Sequence, residues 1–170
     1  MLATLSPPTP AQAQSVPAPT LPGGASSIQE TYQDWQVVCA IVNDAKRCAM
    51  SQQQVRQDSN QVLLTAEFYA AAQEETVSGT LVLPFGLQLA SGVTLQIDDA
   101  ATIPPLVFST CLPAGCLVPF TLDGQTVAAA RAGKTLNLQA ASITGQPVAL
   151  PVSLAGFSKA QDRLNELSKP

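Results

Sequence analysis

Hydrophobic residues between 35 and 41 recur at every second position, which predicts a β-strand with one buried face. Turn residues separate further strand-like segments at 48–55, 62–71, 80–83, 93–98, 106–111, 116–122, 136–139 and 148–154. Pro151 lies inside the last segment and cannot donate a ladder hydrogen bond, so we expect that strand at a sheet edge. About nine short strands favour an all-β fold, and we predict an immunoglobulin-like β-sandwich.

Two segments carry helical signals instead. Residues 126–132 are rich in alanine, and Gly133 follows them in the position of a C-terminal cap. Residues 158–167 begin with Ser158 and Gln161, the spacing of a capping box. We therefore predict a short helix near 126–132 and a C-terminal helix near 158–167, both covering an open end or edge of the sheets.

Charge divides the chain into two unlike parts. Residues 1–29 hold no charged side chain and six of the 14 prolines, whereas residues 30–170 hold all 8 Lys and Arg and all 12 Asp and Glu. We predict that 1–29 is a disordered, proline-rich segment with polyproline II character. It contains an A-x-A arrangement at 11–13, which we interpret as the remnant of a signal peptide, although an ordinary Pro/Ala linker has the same composition. Residues 30–170 are predicted to form a single β-sandwich domain.

The composition excludes several classes of function. The chain has no histidine, which removes Ser-His-Asp and Cys-His catalysis and every histidine-containing zinc site. Its net charge is −4, which argues against nucleic acid as a partner. No run of 18 apolar residues is present, so the sequence predicts no transmembrane helix.

The first pair of cysteines fits a cross-strand disulfide. Cys39 and Cys48 are equidistant from Asn43 and Asp44, both turn-forming residues. A hairpin with a two-residue loop at that point brings the two cysteines opposite each other at a non-hydrogen-bonded pair. Side chains approach most closely at such pairs, so the spacing predicts a Cys39–Cys48 disulfide.

The second pair brackets a tight turn. Cys111 and Cys116 enclose four residues with Pro113 second and Gly115 fourth, which predicts a turn closed by a Cys111–Cys116 disulfide. A metal site built from all four cysteines would ordinarily show C-x2-C spacing, as would a thioredoxin-like redox site, and neither pair has it. Two structural disulfides indicate an oxidising compartment.

Several motifs occur together in an order that resembles one protein family. From about residue 32 to 164 the chain is similar to the invasion-associated locus B family, through 34–39, 46–48, 83–87, 92–95, 110–116, 131–134 and 151–157. This resemblance implies an exported β-sandwich protein of Gram-negative bacteria, located in the periplasm, at the outer envelope or outside the cell. In pathogenic members the family is linked to entry into host cells.

The resemblance provides no catalytic, cofactor-binding or metal-binding residue to carry over, so none is predicted. It implies a non-enzymatic protein whose partner is a protein or a component of the envelope or host surface. Two alternatives remain open: a carboxylate-based enzyme or ligand binder acting on envelope glycan, and a periplasmic assembly or stability factor.

Adjacent acidic residues at two places could serve the enzymatic alternative. Glu74 and Glu75, and likewise Asp98 and Asp99, could supply a glycosidase pair or bind Ca²⁺. Neighbouring carboxylates on a strand point to opposite faces, however, so neither pair forms an acid/base couple by itself. Both pairs lie beside turns, where solvated charge is the simpler interpretation.

Three further residues have both a structural and a functional interpretation, and two have only a structural one. Trp35 could anchor a ligand, but beside a cysteine in a sandwich strand it is expected in the core. Lys46 and Arg47 could contact anionic lipid or glycan, but beside a tight turn we expect a solvated tip. Arg131 and Lys134 are interpreted as partners of a helix dipole.

Overall fold

The computed structural model describes residues 19–59, 61–70, 76–100 and 102–169. Most of these residues lie in eleven strands and two α-helices. The strands are β1 (Ser27–Tyr32), β2 (Trp35–Val42), β3 (Ala45–Val55), β4 (Val62–Tyr69), β5 (Thr76–Leu83), β6 (Val93–Ile97), β7 (Ile103–Leu106), β8 (Thr110–Leu112), β9 (Gly115–Asp123), β10 (Thr135–Ala141) and β11 (Pro147–Ser153). The helices are α1 (Gly124–Ala132) and α2 (Phe157–Ser168).

Two antiparallel sheets form a sandwich-like fold. The larger sheet has seven strands in the order β1-β2-β3-β4-β5-β9-β8, and the smaller has four in the order β11-β10-β6-β7. Helix α2 packs against β2 and β3, and α1 packs against α2, β5 and β9. The predicted all-β sandwich with two helices is confirmed. No helix in the described ranges is long and apolar enough to cross a membrane.

Alternation along the strands builds the core. Trp35, Val37 and Cys39 are buried on one face of β2, as the hydrophobic pattern predicts. The terminal position of β11 confirms that the strand containing Pro151 is an edge strand.

The β2–β3 hairpin has the register that its sequence predicts. Asn43 and Asp44 form its two-residue turn with φ angles of 50° and 56°, the left-handed conformation that Asn and Asp tolerate best after glycine. Cys39 then lies opposite Cys48, and the two are joined by a disulfide with an S–S distance of 2.06 Å.

The predicted start of the folded domain and one predicted strand need correction. The fold starts before residue 30, because β1 begins at Ser27 and Leu21 is only 3% exposed. The segment 106–111, predicted as one strand, is divided between β7 in the smaller sheet and β8 in the larger sheet. Residues 107–109 connect the two sheets there, and periodicity within one segment cannot reveal which sheet each half joins.

The capping box predicted at the start of α2 is wrong. The residue that caps α2 is Gly156, with φ 86°, and no side chain caps this end. The side chain of Gln161 is buried and accepts a hydrogen bond of 2.8 Å from the Arg131 guanidinium on α1. Gln161 therefore bonds to Arg131, which is 30 residues away in sequence on the other helix, and does not cap its own helix.

We expect Gly156→Ala to destabilise the protein much more than Gly145→Ala. Both glycines have a positive φ, 86° and 79°, so alanine introduces backbone strain of about 1–2 kcal/mol at either position. At Gly156 the new Cβ would also lie 2.0 Å from the Tyr32 carbonyl oxygen, whereas at Gly145 nothing lies within 4 Å. Urea unfolding should show a loss of about 3–5 kcal/mol for Gly156→Ala. Equal losses for the two variants would contradict the close approach of α2 to β1.

Candidate binding cleft

Two sequence motifs meet at one end of the sandwich. One is the segment 83–87, which leaves β5, and the other is the β8–β9 hairpin closed by Cys111 and Cys116. Leu83 pairs directly with Cys116 across the β5–β9 ladder. The space beside these two segments is a cleft with a volume of about 780 Å³.

The segment after β5 is held rigidly by backbone contacts. Pro84 ends the strand because it has no N–H to donate. The chain then turns at Gly86, with φ 86°, and the Gly86 carbonyl accepts a hydrogen bond of 2.9 Å from the Ile143 N–H. One residue further, Leu87 pairs with Ser142 and is only 7% exposed.

Phe85 lies in the middle of this fixed segment, and its side chain is 62% exposed. A phenylalanine side chain has a large apolar area and no polar group. When it is exposed to water, it therefore does not stabilise the fold of the chain alone. Exposed aromatic residues with fixed positions are common anchors in protein interfaces, because little conformational entropy is lost when they are buried.

The disulfide hairpin forms the opposite wall. Gly115 has φ 141°, and a Cβ there would lie 2.5 Å from the Leu83 carbonyl oxygen. Glycine is therefore required for the hairpin to approach β5 this closely. The Cys111–Cys116 disulfide, with a Cα–Cα distance of 3.9 Å, constrains the two ends of the turn.

The cleft is mainly apolar, and its polar lining residues are Gln53, Arg56, Gln61, Thr65 and Ser142. Its walls include Val62, Leu63, Val82, Pro84, Pro113 and Leu150. Arg56 is the charged residue among the lining residues of the described chain, and no acidic residue lines the cleft there. The lining therefore suits an apolar group and provides no carboxylate for acid/base chemistry.

One of the predicted carboxylates, that of Asp98, has a structural role. Asp98, with φ 46°, accepts backbone hydrogen bonds from Lys134 at 3.0 Å and Thr135 at 2.9 Å. It therefore orders the connection from α1 to β10. Asp99 is exposed, and Glu74 and Glu75 lie outside the described residues. In the described ranges no group of three His, Cys, Asp or Glu side chains is placed to hold a metal ion.

A second depression lies on the outer face of the seven-stranded sheet, with a volume of about 820 Å³. Its lining includes Val38, Arg47, Tyr69 and a single carboxylate, Glu67. Burial raises the pKa of the Glu67 carboxyl. One carboxylate cannot provide the two groups that glycoside hydrolysis requires, so this depression does not reproduce the predicted enzymatic site.

Trp35 is fully buried, as predicted, and its indole N–H donates a hydrogen bond of 3.0 Å to the Ser153 carbonyl. Lys46 was expected to be a solvated side chain at the tip of the hairpin. Its ammonium instead donates a hydrogen bond to the carbonyl oxygen of Lys169. Arg47 beside it is exposed.

The roles predicted for Arg131 and Lys134 were incomplete. Arg131 lies in the last turn of α1, where a cation favours the helix dipole, but it also forms an ion pair of 2.9 Å with Asp162 on α2. Lys134 acts through its backbone N–H, which donates to Asp98. Both residues link α1 to neighbouring elements, and these links cannot be read from helix position alone.

Sequence reasoning did not single out Phe85 or Arg56. The available signal for Phe85 was its place in the motif 83–87, where an aromatic residue follows a proline that ends a strand. No sequence pattern marked Arg56, because it joins the cleft only through the β3–β4 connection.

Comparison with known proteins places these motifs in one family. The family model "Invasion associated locus B (IalB) protein" matches residues 35–165. The invasion protein B homologue of Brucella abortus strain 2308 is 48% identical over 153 residues, which cover 89% of this chain and 87% of the relative. The invasion protein B of Bartonella bacilliformis is 41% identical over 153 residues, covering 88% and 81%.

A solved structure shows the same fold. The crystal structure of invasion associated protein B from Bartonella henselae superimposes with a TM-score of 0.76 at 39% sequence identity, covering 82% of this chain and 96% of that chain. The chain belongs to the invasion-associated locus B family.

We expect Glu67→Gln to raise the melting temperature at pH 7. The pKa of Glu67 is higher in the folded protein than in the unfolded chain, so its ionised form is disfavoured by folding. The gain should shrink as the pH falls and vanish below the ordinary range of a glutamate pKa, about 4.3, where Glu67 is protonated in both states. Thermal unfolding from pH 7 to pH 3.5 measures this. Asp99→Asn, which removes an exposed carboxylate, serves as the control, and the same pH dependence in both variants would refute the explanation by burial.

Proposed function

We propose that this protein is an exported, non-enzymatic binding protein, and that the cleft beside Phe85 is where it holds a partner macromolecule. The observation that carries the proposal is a largely exposed phenylalanine on a hydrogen-bonded backbone, which lines a mainly apolar cleft. A partner that buries the ring there would gain roughly 1.5–3 kcal/mol from removal of apolar surface from water.

Binding is supported over carboxylate catalysis by the positions of the acidic groups. Asp98 has both oxygens engaged with backbone N–H groups, which leaves it poorly placed to transfer protons to a substrate. Glu67 lies on the outer sheet face without a second carboxylate among the lining residues of the described chain. A glycan-cleaving site would need two carboxyl groups facing one space.

Two disulfides support export, because such bonds persist in oxidising compartments. We propose a location in the periplasm, at the outer envelope or outside the cell, for a protein with a single folded domain. The relatives are named for invasion, and we propose that the partner of this chain is a protein or another component of the envelope or a host surface.

Export is tested by expressing the gene from its native locus in its Gram-negative host and fractionating the cells. We expect the mature protein in the periplasmic or culture fraction, with both cysteine pairs oxidised in non-reducing peptide maps. Retention in the cytosol with four free thiols would contradict the proposal.

The binding role of the cleft is tested by photo-crosslinking in intact cells. A photoreactive side chain at Ala114, which lines the cleft, should give a discrete adduct with the partner. The yield of this adduct should fall at least about tenfold in Phe85→Ala. Loss of the buried ring removes more than about 1.4 kcal/mol of binding free energy, which corresponds to a tenfold change. Val107→Ala is the matched control, because Val107 is 72% exposed and lies outside the cleft lining.

Both variants remove exposed apolar side chains, so their unfolding free energies should stay within about 0.5 kcal/mol of the parent protein. An adduct that survives in Phe85→Ala, or one that weakens equally in Val107→Ala, would contradict a binding role for the cleft.

A further inference from the structure

One edge of the larger sheet presents unpaired backbone groups. Tyr32 pairs with Trp35 beside the two-residue turn between β1 and β2, and the Ser26 carbonyl accepts a hydrogen bond from the Ile41 N–H. Backbone groups in an antiparallel pair face the partner strand at every second residue. The even-numbered residues of β1 therefore bond to β2. The N–H and C=O groups of Ser27, Gln29 and Thr31 then point away from the sheet. In the described chain none of these three residues has a further backbone hydrogen bond, and their side chains are exposed.

The other sheet edges are protected against strand addition. Strand β11 contains Pro147 and Pro151, and β7 contains Pro104 and Pro105, none of which can donate a ladder hydrogen bond. Strand β8 is only three residues long. Among the described strands that end a sheet, β1 alone combines six residues with no proline and no lysine.

The β1 edge is also fixed in place. The Arg163 guanidinium on α2 donates two hydrogen bonds of 2.8 Å to the Glu30 carboxylate, and the Tyr32 hydroxyl donates a third of 2.7 Å. These bonds hold the pKa of the Glu30 carboxyl below its usual value. The edge therefore needs little ordering before another strand can pair with it.

We propose that β1 is a docking edge for an extended segment of a partner polypeptide, which adds an eighth strand to the seven-stranded sheet. Only another backbone in extended conformation can meet alternating donors and acceptors at Ser27, Gln29 and Thr31 in register. This edge lies opposite the β8 edge, and the proposal goes beyond the function of the cleft and is independent of it.

Charge specifies the chemistry of the added strand. On the inner side, the ion-paired group of Glu30, Arg163 and Glu166 carries a net charge of −1. On the outer side, Ser27, Gln29 and Thr31 are uncharged. The segment that fits best therefore has a basic residue on its inner side and neutral residues on its outer side.

A second copy of this chain fits the edge less well. Pairing β1 with itself would bring two acidic clusters together, and each chain already carries a net charge of −4.

The proposal is tested with a capped synthetic peptide of seven residues that alternates threonine and valine, with a central lysine on the valine side. Titration into the ¹⁵N-labelled protein should shift the amide signals of Ser27, Gln29 and Thr31 and slow their hydrogen exchange. A peptide with glutamate in place of the central lysine should bind about tenfold more weakly, as expected for a difference near 1.4 kcal/mol.

Two N-methylated peptides separate backbone pairing from other contacts. Methyl groups on the peptide edge that faces β1 should abolish binding, whereas the same number on the other edge should leave it unchanged. On the protein side, Gln29→Pro removes an outward N–H without removing a β1–β2 hydrogen bond. It should weaken binding at least about fivefold with the remaining amide signals intact.

Three results would overturn the proposal. The first is the absence of shifts in β1 at millimolar peptide, and the second is a set of shifts around Phe85 instead. The third is protection of the β1 amides that grows with protein concentration in the absence of peptide, which would assign the edge to a second copy.

Discussion

The structure depends on an aromatic cluster that joins the larger sheet to α2. The ring of Trp35 lies 5.4 Å from Phe68 and 5.2 Å from Phe157, and Phe68 lies 5.2 Å from Phe157, all in edge-to-face geometry. Two of these rings come from strands of the sheet and the third is the first residue of α2. Because all three are fully or almost fully buried, the start of the helix cannot move without opening the core.

Hydrogen bonds join the smaller sheet to Trp35 in the aromatic cluster and to Gln52 on β3. The Ser153 carbonyl at the end of β11 accepts from the Trp35 indole at 3.0 Å and from the Gln52 amide at 2.9 Å, and the Ser153 N–H donates back to Gln52 at 3.2 Å. A buried amide side chain is costly unless it is satisfied, so these bonds specify how the edge of one sheet sits on the other. The chain that follows reaches Gly156, where only glycine permits the approach to Tyr32.

Local signals predicted the parts of the fold that short-range geometry controls. The Asn43-Asp44 turn and the period-two pattern of β2 were enough to set the Cys39–Cys48 register. The edge position of β11 followed from Pro151, which cannot donate to a neighbour. Strand β1 was missed because its few apolar residues are only half-buried, and because Arg163, which binds Glu30, is 133 residues away in sequence.

The sequence by itself determined the class of the protein: an all-β, disulfide-containing chain of the invasion-associated locus B family, because strand period, turn residues and motif order are all carried by short stretches of residues. The tertiary structure decided which of these stretches share a surface. In the folded chain the Asp98 carboxylate accepts backbone hydrogen bonds. The 83–87 segment lies beside the disulfide hairpin, and Phe85 is exposed there. Exposure and unpaired edges result from how distant elements pack together, and no local pattern contains that information.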